Sequence, residues 1–247
     1  MEEANKEIYI LVHGAWHGGW CWDKIRGHLQ KLGHEVSTPD LPGHSINFDP
    51  KNFPTICLQT YVDFVRERVL KSTRPAVLVG HSMGGIVISQ VAEHVPSRIN
   101  RLVYVSAIIP KNQSSLMDEE KEAPLSQMEI ELTFNEEQQS IILPFHHSKL
   151  IQEFFYHTCD SQKVAFALSK LRPQPSQPFF DKISFSNDRF GSVPKLYVQC
   201  LQDKAINLEA QQRMSSRIGC KIATLNTDHS PFLCADKQLT ELILRPV

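Results

Sequence analysis

No block of one charge stands out in this sequence: 26 Lys and Arg stand against 27 Asp and Glu, a formal net charge of −1. Nucleic acid and anionic membranes call for clustered cations, so neither is expected as a partner; a small, near-neutral ligand is. No stretch approaches the roughly 18 consecutive apolar residues of a membrane span. The start, MEEANKEIYILVHG, puts acidic residues ahead of a short apolar run, where a secretory leader would have a basic start and a longer apolar core. The six cysteines (Cys21, Cys57, Cys159, Cys200, Cys220, Cys234) form no C-x-x-C pair. They read as free thiols of a reducing compartment, so a cytoplasmic location is expected. Neither G-x-G-x-x-G nor a P-loop is present, so no nucleotide cofactor is expected, nor any other. His13 and His17 are four apart, but the glycines around them argue against a helix offering both to a metal, and no metal site is expected.

What is present is alternation. Ile8–His13 is a short, β-branched, wholly apolar run closed by Gly14, as in a strand of a parallel sheet. Trp20–Leu32 reads as a helix closed by Gly33, and HEVSTPD as a strand ending at Asp40 before the turn signal L-P-G. Thr60–Leu70 carries Tyr61, Phe64, Val65 and Val69 at helical spacing. AVLVG is a strand, Gly84–His94 a helix and INRLVYVSA a further strand. The pattern resumes with KLYVQCLQD, a helix over Leu208–Ile218, the strand KIATLNT and a helix near Asp236–Leu244. Strands alternating with helices predict an α/β, doubly wound, mostly parallel sheet in a single domain over 1–247. The irregular stretch 111–192 is read as a cap inserted between the strand ending near Ala107 and the strand starting near Lys195.

In such sheets ligands bind beyond the carboxyl ends of the strands. Gly80-His81-Ser82-Met83-Gly84 fits G-x-S-x-G between a strand and a helix, the context of a nucleophile elbow. The alternative is a packing turn with an idle serine. A serine hydroxyl needs a base to take its proton, and His229 follows the last strand in NTDHSPF. A carboxylate should orient that imidazole; Asp203 closes KLYVQCLQD and gives the chain order Ser82, Asp203, His229. Asp40 precedes the serine and suits a turn, and Asp228 abuts His229 and would point elsewhere. Two backbone N–H groups should hold the oxyanion: that of Met83 and, from the HGAWHGGW loop, that of Ala15. Gly14, Trp16 and Ser230 flank these groups and are the candidate substrate contacts.

These residues resemble the α/β-hydrolases, in particular the branch of plant methylesterases, hydroxynitrile lyases and bacterial carboxylesterases. The similarity is carried by LVHGAWHGGWCWDKI (Leu11–Ile25), VGHSMGG (Val79–Gly85), RFGSVPKLYVQCLQDKAI (Arg189–Ile206) and DHSPF (Asp228–Phe232). It implies Ser82 as nucleophile, Asp203 as acid, His229 as base and the N–H groups of Ala15 and Met83 as oxyanion donors. The lyases of this branch carry threonine at the position of Gly14 and lysine at that of Ser230, so the resemblance implies hydrolysis rather than lyase chemistry. DLPGHS and HSPF are more similar to bacterial esterases than to plant ones. The superfamily's dehalogenases and epoxide hydrolases place aspartate where Ser82 stands.

Nine of the thirteen phenylalanines fall between Phe134 and Phe190. More than half should form the insertion's own core, and the rest should roof an aromatic pocket. The expected activity is therefore that of a serine hydrolase acting on small, largely apolar carboxylic esters (methyl, short-alkyl or aryl). The oligomeric state is open, a homodimer included. The alternatives are a ligand-binding pseudo-hydrolase and a cofactor-free lyase or oxygenase on the same scaffold.

Overall fold

The computed structural model describes residues 6–247; residues 1–5, the acidic start of the stretch read for a leader, lie outside them. β1 (Ile8–Val12) is buried along its whole length, as a strand covered on both faces must be. A 3-10 turn over Gly19–Trp22 precedes α1 (Asp23–Lys31), so the helix starts later than Trp20. The turn is forced by close packing: a Cβ on Gly19 would lie 2.1 Å from the Thr38 carbonyl oxygen. β2 (Glu35–Ser37) is shorter than HEVSTPD because Pro39 has no N–H for the ladder. α2 (Leu58–Lys71), β3 (Ala76–His81), α3 (Gly84–His94) and β4 (Ile99–Val105) follow.

Between β4 and the next core strand the chain builds α4 (Leu116–Glu122), β5 (Thr133–Asn135), β6 (Ser140–Ile142), α5 (Ser148–Phe155), α6 (Ser161–Lys170), β7 (Gln174–Pro175) and α7 (Gln177–Phe180). β5, β6 and β7 pair antiparallel into a small sheet of their own. Strands of two or three residues are too short to show a period of two, which is why this stretch reads as irregular. Of the nine phenylalanines, Phe154, Phe155, Phe179 and Phe190 are buried, whereas Phe134, Phe145, Phe166 and Phe180 are exposed. Fewer rings than expected are therefore core. The chain then completes β8 (Lys195–Cys200), α8 (Leu208–Ser216), β9 (Lys221–Leu225), α9 (Pro231–Cys234) and α10 (Asp236–Ile243).

The large sheet runs β2-β1-β3-β4-β8-β9, and all its pairings are parallel. From β1 the chain moves outward to β2 and then crosses back to β3 on the other side. The order therefore reverses between β1 and β3, where such sheets open a crevice at their carboxyl ends. Val12 is in register with Gly80, so the loop after β1 and the turn after β3 emerge side by side.

That turn is tight. Ser82 has φ 52°, the left-handed region, at a cost of about 1–2 kcal/mol for a residue with a Cβ. A Cβ on Gly84 would lie 2.6 Å from the Val12 carbonyl oxygen, and one on Gly80 would lie 2.7 Å from the Gly84 carbonyl oxygen. Only bare backbone lets α3 start this close to β1 and β3. Gly84→Ala should therefore destabilise the fold by about 1–3 kcal/mol, the usual cost of overpacking. Urea denaturation should show a lower midpoint at unchanged slope; an unchanged midpoint would contradict the packing argument.

Candidate active site

Ser82 is fixed through its backbone. Its N–H donates to the Val105 carbonyl at 3.3 Å, and its carbonyl accepts from the N–H groups of Gly85 and Ile108, both at 3.0 Å. The elbow is thus bonded to the end of β4 and the start of α3, leaving the side chain to face a cavity that Ser82 lines together with Met83, Ala15, Trp16 and His229.

His229 and Asp203 are brought together from the loops after β9 and β8. His229 Nδ1 lies 2.7 Å from Asp203 Oδ2, and both residues are buried. A carboxylate only accepts, so Nδ1 carries the hydrogen and Nε2 is left with a free lone pair. Asp203 is itself held: Oδ1 accepts the N–H groups of Ala205 and Ile206, each at 2.8 Å, and Oδ2 also receives the Ser106 hydroxyl. Bonds of this kind lock the orientation of the carboxylate. No hydrogen bond joins Ser82 Oγ to His229 among the described residues. Such bonds commonly tighten only when substrate is bound.

The loop after β1 is pinned by two histidines. His13 Nδ1 is 2.8 Å from the Gly14 carbonyl and its Nε2 accepts the Leu41 N–H at 2.9 Å. His17 Nδ1 is 2.8 Å from the Ala15 carbonyl and its Nε2 accepts the Tyr156 hydroxyl at 2.7 Å. Carbonyls only accept, so both rings are neutral Nδ1–H tautomers. Burial keeps them neutral, driving His17 down to about 3 and His13 well below its ordinary value. The N–H groups of Ala15 and Met83 have no acceptor in the chain among the described residues. A third buried histidine, His81, donates Nε2–H to the His229 carbonyl at 2.8 Å and packs its ring 4.5 Å from the His229 ring. Burial holds it well below its ordinary value too.

The predicted positions divide. Ser82, Met83, Ala15, Trp16 and His229 line one cavity, and Asp203 lies behind His229. Trp16, at φ 60°, donates its indole N–H to the Ile141 carbonyl at 2.9 Å, joining the loop to β6 of the cap. Gly14 and Ser230 are buried and are not among the residues lining the cavity. A Cβ on Gly14 would sit 2.7 Å from the Ser82 Cβ, so Gly14 acts by leaving room. Ser230 is fully buried at the start of α9, its N–H donating to Asp228. Asp40 accepts the Gly19 N–H at 2.7 Å, a turn role. Sequence reasoning missed Ser106, although it directly follows a strand, and it missed the His17–Tyr156 contact across 139 residues.

The cavity measures about 1180 Å³. Phe134, Phe154, Phe155, Phe179 and Phe180 of the cap contribute to its wall, with Met117 and Met128. Among the described residues no lysine or arginine lines it, while Glu120, Glu129 and Glu131 do.

Residues 9–242 match the model of the alpha/beta hydrolase family. The chain is 29% identical over 256 residues to Methylesterase 2 of Arabidopsis thaliana, spanning 98% of this chain and 97% of that one. It is 28% identical over 249 residues to salicylic acid-binding protein 2 of Nicotiana tabacum, spanning 96% and 95%. A pyrethroid hydrolase from Sphingobium faniae JZ-2 superposes with a TM-score of 0.83 at 23% identity, over 96% of this chain and 95% of that one, and so shares the fold.

The neutral histidines make stability depend on pH. Unfolded, each takes a proton near pH 6.5, whereas folded His17 does so only near pH 3. Stability is therefore full above about pH 6.5 and falls as pH drops through the window below it. His17 alone should account for about 2 kcal/mol between pH 7 and pH 5. In urea unfolding at the two pH values, His17→Gln should lose that much less than wild type; equal losses would contradict its buried neutrality.

Proposed function

Since the chain belongs to the alpha/beta hydrolase family, we propose that it is a serine esterase cleaving uncharged, largely apolar carboxylic esters (methyl, short-alkyl or aryl) through an acyl-enzyme on Ser82. The observation that carries this reading is the 2.7 Å bond between His229 and Asp203, with His229 and Ser82 on the wall of one cavity. The methylesterase relative supports the choice of ester.

In the first half-reaction His229 Nε2 takes the Ser82 proton as Oγ attacks the ester carbonyl carbon. Asp203 stabilises the resulting imidazolium. The N–H groups of Ala15 and Met83 receive the oxyanion, donors already in place and largely shielded from water. The intermediate collapses, the C–O bond to the alcohol breaks, and His229 returns its proton to the departing oxygen. Water then attacks the acyl-enzyme, with the same base taking its proton; the acid leaves and Ser82 is restored. A lining without cations and with three glutamates favours uncharged esters and repels the carboxylate product. Gly14 and Ser230 stand where the resembling lyases have threonine and lysine, which supports hydrolysis.

With p-nitrophenyl esters of increasing acyl length, Ser82→Ala should lose at least ~10³-fold in kcat and Asp203→Asn on the order of 10⁴-fold. Esters bearing a second carboxylate should be slower by on the order of tenfold in kcat/KM. Near wild-type turnover in Ser82→Ala would remove that residue from the mechanism, and equal rates for anionic and neutral esters would remove the role of the glutamates.

A further inference from the structure

Just past β4 the chain carries a second serine in a conformation that costs it stability. Ser106 has φ 40°, in the left-handed region that glycine enters freely and a residue with a Cβ does not. Strained residues of this kind collect at functional sites, where their surroundings hold them. Ser106 is fully buried, and its N–H donates to the Val198 carbonyl of β8 at 3.0 Å. Glycine would make that same bond without the strain. What glycine would lack is the hydroxyl, and the hydroxyl donates to Asp203 Oδ2.

Asp203 needs that donor. Its Oδ1 is fixed within its own turn by the N–H groups of Ala205 and Ile206, each at 2.8 Å. Its Oδ2 has two partners among the described residues, the Ser106 hydroxyl and His229 Nδ1, the latter at 2.7 Å. Without Ser106, Oδ2 would be placed only by the imidazole that it has to orient, and the pair could swing together about Oδ1. Ser106 supplies an independent reference because its own frame is the elbow. Val105, just before it, accepts the Ser82 N–H at 3.3 Å, and Ile108, just beyond it, donates its N–H to the Ser82 carbonyl at 3.0 Å. His81 is in register with Val105, so the two strained serines stand side by side past the ends of β3 and β4. The segment that clasps the nucleophile at both ends therefore also reaches the acid.

We infer that Ser106 is a positioning residue: its hydroxyl sets Asp203, and through Asp203 the His229 ring, in register with Ser82, a role that rests on the functions proposed above for those three residues. Ser106 itself touches no substrate and transfers no proton. It acts by holding Oδ2 where the His229 Nδ1–H meets it, so that Nε2 stays aimed at the nucleophile before substrate arrives. Misplacement of a catalytic group by even about 1 Å costs on the order of 100-fold in rate, which is the loss that this bond prevents.

Two variants of the full-length protein separate this role from a structural one. Ser106→Ala removes the hydroxyl and keeps the strain, whereas Ser106→Gly removes both. With p-nitrophenyl acetate, kcat should fall on the order of 10–100-fold in both variants at unchanged KM. Thermal unfolding should tell them apart: Ser106→Gly should melt about 2–4 °C above Ser106→Ala, because glycine is unstrained in the left-handed region. Rate then follows the hydroxyl, and stability follows the backbone. The Nδ1–H proton of His229, observed by NMR without substrate, should move upfield and broaden in both variants as its bond to Asp203 loosens. That resonance needs no ester turnover, so it reads the role of Ser106 separately from the choice of reaction. Wild-type kcat in either variant, a rate that recovers along with Tm in Ser106→Gly, or an unshifted Nδ1–H resonance would each overturn the role of Ser106.

Discussion

The left-handed backbone at Ser82 is the constraint on which the candidate site depends. A side chain at φ 52° persists only where the surroundings over-determine it, and three carbonyl contacts do so here. Ser82 is hydrogen-bonded through both its N–H and its carbonyl, and α3 sits so close to β1 and β3 that a single methyl group at Gly80 or Gly84 would collide with backbone. The strain lifts the hydroxyl out of the sheet edge into the crevice between β1 and β3. The order reversal of the sheet at that point then delivers the Ala15 loop from the neighbouring strand.

Around the serine the charges are sparse and placed. Asp203 is a buried carboxylate with four donors, and His229 faces the cavity with its acceptor nitrogen because the other is committed to Asp203. The three further histidines nearby are held neutral by burial and spend their hydrogens on the carbonyls of Gly14, Ala15 and His229. They add no competing charge and act as fixed dipoles gripping backbone. His17 is bonded to Tyr156 of the cap, and Trp16 to β6, so the cap and the loop after β1 are positioned by the same contacts.

The parallel core was legible because buried strands leave apolar runs and amphipathic helices leave a period, and α3 coincides with the predicted Gly84–His94. Ser82, Asp203 and His229 were legible as polar residues stranded just past strand ends. Asp203 in fact lies three residues beyond β8, in the turn that its own side chain organises by accepting from Ala205 and Ile206. What sequence could not carry was long-range partnership: Ser106 on Asp203 and Tyr156 on His17 depend on which loops the fold brings together. The cap was opaque because its elements are short and its rings are shared between core, cavity wall and surface. Ser230, next to His229 in the chain, is fully buried where the chain enters α9.

The central claim is that His229 and Asp203 make Ser82 uniquely nucleophilic, and covalent labelling tests it without knowledge of the substrate. Treated with an alkyl fluorophosphonate and weighed intact, the protein should gain one adduct per chain, mapped to the peptide holding Ser82. Labelling should slow by at least ~10³-fold in His229→Ala. An adduct elsewhere, none at all, or equal labelling rates in the two proteins would contradict the account.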